Sequence, residues 1–427
     1  MSDLQSGNLG QSWEDCAAPA QLLVEIFGSL DAEGIKYCIM RNYDLLPRSV
    51  ADSDLDILLL PDQHVAAERA LRRALDLHGG AVIGKIPARG SYLKTMGCRS
   101  GKWWGLAIDL VADVDYRGMV YIEAADVIRR AIVRDGVCVA DEADAALGAL
   151  AKELLNNLST EPRYLEQART IWQERGDECL EALGRFSRDL KCRVAILLND
   201  SNPTRDQLRI LGEAMRRDLK GIHRPLDWLA IRSRDFISRS LRIFRRPGSL
   251  IVLSSRDPAI ALALTKELLP VLMRAFHKRV LIAYGEPEKL EEVSSLTLSN
   301  EAVEPPTSQS DVGILGLINK YFVCYFSRAY PKMLGKPNLI CSIGYLEEAP
   351  SVHKLRFWKF LGPLFPNPDL TVRLCLETKE REEMITNQTF KNTVVVIPKT
   401  DSSNKVGFDP NDVLEYILKT LSCRFPR

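Results

Sequence analysis

The sequence predicts an α/β protein with two domains joined by a helical middle region. Its 427 residues exceed the length of one ordinary domain, so two or three are expected. Residues 18–125 alternate amphipathic helical segments with short apolar strands, whereas residues 126–246 show mainly helical periodicity and contain a basic segment. A strand, a turn and a helix then begin within residues 247–427, directly after the helix-breaking pair Pro247 and Gly248.

The composition is typical of a soluble globular protein. Hydrophobic residues make up 46% and charged residues 26%, and the net charge of +1 disfavours a protein that coats a polyanion, so there is no strong nucleic-acid signal. No apolar run reaches the roughly 20 residues of a membrane-spanning helix, and the N-terminus lacks the pattern of a signal peptide. The ten scattered cysteines fit a reduced, cytoplasmic protein.

The first domain has a distinct pattern for each element. Residues 18–32 place five apolar side chains at helical spacing and are followed by Gly34, a plausible helix stop. Residues 35–60 read as two strands around a polar loop, and residues 61–78 read as a second helix with Val65, Leu71 and Leu75 on its apolar face. Three further strands are expected at residues 81–86, 91–96 and 105–111.

Carboxylates stand at unusual places in these strands. Asp54 and Asp56 flank Leu55 at the start of the second strand, so both point to one face at a separation of roughly 6.5 Å. Asp109 lies within a later apolar strand and converges on them if the two strands are neighbours. Such a trio suits a hard divalent cation. The alternative is that they are solvated surface acids, because Asp and Glu fill 56 of 427 positions.

This arrangement resembles the nucleotidyltransferase superfamily, which has the polymerase-beta-like fold. That family carries an Asp-x-Asp pair on one strand and a later acid on another, and Asp54, Asp56 and Asp109 match these three acids. The resemblance implies that the three acids bind Mg²⁺, or alternatively Mn²⁺, and that the substrate is an NTP. It also implies that Asp109 assists deprotonation of the acceptor hydroxyl.

The phosphate-binding turn of that family is replaced here. Where the family has a Gly-Gly or Gly-Ser turn, this chain has Arg41 and Asn42. We interpret Arg41, Asn42 and Lys94 as candidate nucleotide-binding residues, because a guanidinium or ammonium group can meet a phosphate. Lys85 and Arg89 are further basic residues near the sheet, and solvent exposure is the alternative for each cation.

The middle region is expected to form helices at residues 145–158, 162–176 and 177–198. Its basic segment, residues 216–246, contains ten arginines and lysines against three aspartates, with apolar residues at helical intervals. A basic amphipathic helix can bind an anionic membrane surface, here the inner membrane face, or a protein partner. A packing face between domains is the alternative.

The third part resembles the thymidylate-kinase-like branch of P-loop kinases. Strands expected near residues 249–254, 278–285 and 337–345, a helix at 318–330, and a Pro-x-Pro-Asp-Leu strand followed by a helix containing Arg381 occur in that family's order. The resemblance implies a parallel sheet with helices on both faces. Ala261 and Leu262 stand where a phosphate-binding loop needs a lysine and a hydroxyl, and the turn has no glycine, so we expect no kinase activity.

The leading functional hypothesis is therefore Mg²⁺-dependent transfer of an NMP group from an NTP to an unknown acceptor. The pairing of the two domains resembles bacterial proteins associated with surface-polysaccharide gene clusters. The rival hypothesis is a non-catalytic scaffold or a nucleotide-binding pseudoenzyme. Arg41, Asn42 and the glycine-free loop favour the rival, whereas the three acids favour the enzyme.

Overall fold

The chain folds into a mixed α/β structure with two main sheets. The computed structural model describes residues 14–51, 53–87, 91–222, 230, 233, 249–255, 258–276, 280–284, 339–344, 370–374, 393–396, 399–400, 406–407 and 409–423. Within these residues a seven-stranded sheet lies in the N-terminal part and a five-stranded sheet in the C-terminal part.

The N-terminal sheet combines parallel and antiparallel pairs. Its strands are β1 (Tyr37–Ile39), β2 (Leu55–Leu59), β3 (Gly80–Pro87), β4 (Ser91–Arg99), β5 (Lys102–Val111), β8 (Ile132–Arg134) and β9 (Val137–Val139), and a separate hairpin is formed by β6 (Val114–Tyr116) and β7 (Met119–Ile122). The strand order is β3-β4-β5-β2-β1-β9-β8, with parallel pairing between β2 and β5 and between β1 and β9. Because β8 and β9 belong to this sheet, it continues beyond the boundary expected at residue 125.

Two helices cover one face of this sheet. Helix α1 (Ala20–Ala32) and helix α2 (His64–Leu77) were both expected from their periodicity, and the structure confirms them. They pack with Leu55, Ile57 and Ile108 of the sheet into one apolar core. The expectation for Val65 was wrong: it is 71% exposed, because the buried side of α2 is formed instead by Ala67, Ala70, Leu71, Ala74 and Leu75.

A helical layer covers part of the opposite face. It consists of α3 (Ala124–Arg130), α4 (Glu142–Asn157), α5 (Pro162–Arg175), α6 (Arg188–Asn199) and α7 (Arg205–Ile222). The single helix expected at residues 177–198 is instead a 3-10 segment, Gly176–Leu183, followed by α6. Gly184 separates them at φ +59, and a Cβ there would lie 2.3 Å from the Tyr121 carbonyl oxygen, so the chain turns at this glycine.

The C-terminal sheet is wholly parallel. Its strands are β10 (Ser249–Ser255), β11 (Val280–Tyr284), β12 (Leu339–Gly344), β13 (Leu370–Leu374) and β14 (Thr393–Val396), in the order β11-β12-β10-β13-β14. Helix α8 (Pro258–Ala275) follows β10, and helix α9 (Pro410–Ser422) follows the last strands. The expected helix at residues 318–330 and Arg381 lie outside the described residues, so the expectation of helices on both faces stays a prediction.

Helices α8 and α9 contact strands of both sheets and therefore lie between them. Gly105 of β5 allows a close approach of α8, since a Cβ there would lie 2.4 Å from the Ala275 nitrogen. The Trp103 indole donates a hydrogen bond of 2.8 Å to Asn411 of α9. Arg274 of α8 donates to the carbonyl oxygen of Ala51, in the loop between β1 and β2. The two halves thus make specific contacts.

The basic segment is described mainly at its beginning. Residues 223–229, 231–232 and 234–248 lie outside the described residues, so its membrane or protein partner stays a prediction. Arg216 packs inward: it donates hydrogen bonds of 2.6 and 2.8 Å to the Leu155 carbonyl oxygen at the end of α4. Among the described helices, none has the length and apolar character needed to cross a membrane.

Candidate active site

Two neighbouring strands position the three acids. Strands β2 and β5 run parallel, and Asp56 is the register partner of Asp109. Asp54 directly precedes β2, two residues before Asp56, and so belongs to the same face of the sheet. The neighbouring strand positions that the sequence reasoning required are therefore present.

The alternation of β2 explains why these acids are partly buried. Leu55 and Ile57 point into the core beneath α1 and α2, which turns Asp56 to the opposite face. Asp56 is only 7% exposed, and Asp109 is half-buried. Desolvating ionised carboxylates is unfavourable, so a positive charge close to this face stabilises the fold.

Arg41 provides part of this positive charge. Its Nε donates a hydrogen bond to Oδ2 of Asp56, and its Nη2 lies 4.0 Å from Oδ1 of Asp54. Burial opposes the charge of this guanidinium, but Asp56 and Asp54 outweigh it and raise the pKa of Arg41. Arg41 therefore acts as a counter-ion for two of the three acids. Among the described residues none forms an ion pair with Asp109.

The protonation of the acids reflects their crowding. Burial raises the pKa of Asp56, and Asp54 adds to the rise while Arg41 opposes it. Burial also raises the pKa of Asp109 to about 7, with further contributions from Asp56 and Asp54. Such shifts concentrate at functional sites, because crowded buried carboxylates destabilise a fold unless a ligand or a cation compensates them.

Two further residues, both in the helical layer, act electrostatically on this cluster. Lys152 of α4 lowers the pKa of both Asp56 and Asp109 through its positive charge, and Tyr164 of α5 acts electrostatically on Arg41. Sequence reasoning missed both residues. A lone lysine or tyrosine on an amphipathic helix carries no pattern that distinguishes it from a surface residue, so no signal in the sequence could have identified them.

The remaining predicted nucleotide-binding residues are spread over different places. Asn42 follows Arg41 and is exposed, with a left-handed φ of +57 that asparagine tolerates well. Lys94 is 1% exposed, and its Nζ lies 4.2 Å from the centroid of the Phe276 ring, at the contact with α8. The structure thus keeps Asn42 beside Arg41 but directs Lys94 towards the C-terminal half.

Lys85 belongs to the opposite face of the sheet. Its ammonium forms an ion pair of 2.6 Å with Glu68 of α2. Because that carboxylate also accepts a hydrogen bond from Arg72, the three residues form a network against α2 rather than beside the acids. Arg89 lies outside the described residues.

The acid cluster has the ligand chemistry of a magnesium site but not its finished geometry. Carboxylate oxygens are the ligands that Mg²⁺ prefers. Within the part of the chain that the structure describes, however, no three His, Cys, Asp or Glu side chains are grouped closely enough to hold a metal ion. Arg41 lies against two of the three carboxylates instead, so a divalent ion requires this side chain to move.

The solved structures that are similar to this chain include two from Helicobacter pylori. One is a candidate nucleotidyltransferase from H. pylori, 13% identical, with a TM-score of 0.25 over 48% of this chain and 95% of the other. The second is JHP933 from Helicobacter pylori, also 13% identical, with a TM-score of 0.25 over 49% of this chain and 95% of the other. No family model and no curated protein matches the chain. The interpretation of the site therefore depends on its own geometry.

Proposed function

We propose that the N-terminal half is a nucleotidyltransferase that moves an NMP group from an NTP to an acceptor of unknown identity. The observation that supports this proposal is the register pairing of Asp56 with Asp109 on parallel strands, with Asp54 on the same face. Three carboxylates on one partly buried face are costly to maintain, and a cationic ligand would compensate that cost.

Each residue has a proposed role in this reaction. Asp54 and Asp56, with Asp109, would hold Mg²⁺ or Mn²⁺, and the ion would neutralise charge on the phosphates of the NTP. Asp109 would accept the proton of the acceptor hydroxyl. Arg41 and Lys152 are the cations that act on the acid cluster, and we propose that they face the phosphates when a nucleotide is bound. Asn42 would contact the nucleotide beside Arg41.

A release assay for pyrophosphate tests this activity. The full chain is incubated with each NTP, Mg²⁺ or Mn²⁺ and a panel of hydroxyl acceptors, and pyrophosphate is measured. Asp56→Asn is expected to abolish release, whereas Asp206→Asn serves as a matched control because its side chain is 81% exposed at the start of α7. Release that persists in Asp56→Asn would refute the proposal.

A nucleotide-binding pseudoenzyme is the second candidate. The observation that favours it is the contact of Arg41 with Asp56, since an arginine fixed in that place would exclude the catalytic ion. The two candidates differ in one measurement: a pseudoenzyme binds nucleotide without releasing pyrophosphate, with any acceptor.

For the C-terminal half we propose a thymidylate-kinase-like domain without kinase activity. Its support is a parallel sheet with β10 at the centre and α8 directly after it. Ala261 and Leu262 belong to α8, so the two positions of this helix that align with the lysine and the hydroxyl of a phosphate-binding loop carry neither group. ATP turnover by the full chain that Asp56→Asn leaves intact would contradict this assignment.

A further inference from the structure

We infer that Arg41 competes with a divalent cation for Asp54 and Asp56, so that it is the resident counter-ion of the site before a metal binds. This inference rests on the proposed function, because it takes these two carboxylates as ligands of the ion. It explains why the acids lie together although the described side chains form no finished metal site.

The contacts of Arg41 make the two occupants mutually exclusive. Its Nε binds Oδ2 of Asp56, and the same guanidinium reaches towards Oδ1 of Asp54 at 4.0 Å. A metal ion would need these same oxygen atoms, and two positive charges cannot share them without strong repulsion. Binding of a metal therefore requires Arg41 to leave.

Exposure decides which partner moves. The side chain of Asp56 is 9% exposed and that of Asp54 is 14% exposed, but that of Arg41 is 34% exposed. Asp56 is anchored within β2, whereas Arg41 follows the end of β1 and precedes the exposed, left-handed Asn42. Arg41 can consequently turn towards solvent, where water or a phosphate replaces its carboxylate partner, while Asp56 stays in place.

A competing cation also fits the charge of the cluster. Arg41 contacts two of the three carboxylates, and the charge of Lys152 acts on Asp56 more weakly than Arg41 does but on Asp109 more strongly. The cluster therefore keeps an excess of acid with Arg41 in place. A divalent ion compensates that excess better than one guanidinium does, but in wild type the loss of the Arg41 contacts reduces the net gain.

Mn²⁺ binding to the full chain in the absence of nucleotide tests the inference. Free Mn²⁺ is counted by electron paramagnetic resonance during a titration of wild type, Arg41→Ala, and Arg48→Ala, a matched control on an exposed arginine of the same loop. We expect Arg41→Ala to bind Mn²⁺ at least about fivefold more tightly than wild type, as a competitive coupling of ordinary size predicts. Arg48→Ala should match wild type.

A second variant guards against a folding defect. Arg41→Ala leaves Asp56 without its partner, so Arg41→Gln, which keeps a hydrogen-bond donor but loses the charge, is titrated in parallel. Thermal melts with and without Mn²⁺ establish that each variant is folded and show whether Mn²⁺ stabilises the variants more than wild type. The gain in affinity should vanish when Asp56→Asn is added to either variant.

The result that overturns the inference is a folded Arg41→Ala or Arg41→Gln protein that binds Mn²⁺ no more tightly than wild type. This outcome is separable from failure of the proposed function. If the variants bind Mn²⁺ more tightly but no form of the chain releases pyrophosphate, the competition between Arg41 and the metal is supported and the nucleotidyltransferase activity is refuted. If the chain releases pyrophosphate but the variants bind Mn²⁺ no more tightly than wild type, the activity is supported and the competition is refuted.

Discussion

Asp56 and Asp109 are register partners on the parallel strands β2 and β5, and burial raises the pKa of each. The pairing places two carboxylates side by side on a face where the neighbouring residues Leu58 and Val111 pack against the helical layer. The fold thus holds a local excess of negative charge that lowers its own stability. Proteins retain such arrangements mainly where a ligand or a reaction uses them.

Stability should therefore fall as pH rises through the range in which Asp109 ionises. In the unfolded chain Asp109 ionises near its ordinary pKa of 3.8, but in the folded chain it ionises near about 7. Between these values the folded state binds more protons, so the free energy of unfolding decreases with pH. The charged groups that act on Asp109 are Asp56, Asp54, Lys152 and Arg41.

Replacing Asp109 with asparagine tests this dependence. We expect Asp109→Asn to raise the free energy of unfolding at pH 8 by at least about 1 kcal/mol, since one pKa unit corresponds to about 1.4 kcal/mol before any discount for solvent screening. The gain should shrink towards pH 4. Urea unfolding at several pH values measures it, with Asp206→Asn as an exposed control. An Asp109→Asn protein no more stable than wild type at pH 8 would contradict the assigned shift.

The contact between the two halves depends on Gly105. An alanine Cβ at this position would lie 2.4 Å from the Ala275 nitrogen and 2.5 Å from the Val271 carbonyl oxygen, so α8 would have to move. We expect Gly105→Ala to lower the free energy of unfolding by about 1–3 kcal/mol, as overpacking does. Hydrogen exchange in α8 should rise, which locates the effect at this contact.

Gly28 provides the matched control for that substitution. It is exposed in α1, and a Cβ there meets nothing within 4 Å. Gly28→Ala should stabilise the protein by about 0.5–1 kcal/mol, because alanine loses less conformational entropy in a helix. If the two substitutions change the melting temperature equally, α8 does not pack against Gly105 as closely as described.

Lys94 is expected to stabilise the contact between the halves rather than to bind nucleotide. Its ammonium is buried over the Phe276 ring, so Lys94→Met, which keeps most of the side-chain volume, should lower the free energy of unfolding by up to about 2 kcal/mol. Nucleotide affinity, measured by isothermal titration calorimetry, should be unchanged. Lys102→Met is the exposed control on β5. Loss of nucleotide binding in Lys94→Met alone would restore the phosphate-binding role.

Arg216 is expected to stabilise the end of α4. Its guanidinium donates to the carbonyl oxygens of Leu155 and Asn156, which the helix itself leaves without partners. Arg216→Ala should lower the free energy of unfolding by about 1.5–3 kcal/mol, the range for hydrogen bonds to charged groups. The adjacent, exposed Arg217→Ala should change it little. Denaturant unfolding of both variants decides whether this contact matters.

Local patterns in the sequence predicted most elements of the first half. The periodicity of residues 18–32 and 61–78 predicted α1 and α2, and the apolar runs predicted β1 to β5, because side chains at fixed spacing share a face whatever their distant neighbours are. The order of Asp54, Asp56 and Asp109 within two strands was also readable from the sequence. Their roles in binding and catalysis stay predictions.

Long-range packing decided what local patterns could not. Val65 was assigned to the buried side of α2 by spacing alone, yet Ala67, Ala70, Leu71, Ala74 and Leu75 form that side and Val65 is 71% exposed. Strands β8 and β9 have three residues each, and they belong to the sheet only because β9 pairs with β1 and β8 pairs with β9. The division of residues 177–198 follows from Gly184, which must pass close to the Tyr121 carbonyl.

By itself, the sequence determined where the acids stand along the chain and that Asp54 and Asp56 share a face, because strand geometry fixes the direction of alternate side chains. Only the tertiary structure decided that β2 and β5 are neighbours in register, that Arg41 binds Asp56, and that the charge of Lys152 acts on the cluster. The physical reason is that electrostatic contacts and burial depend on residues far apart in sequence. No local spacing records which of them meet.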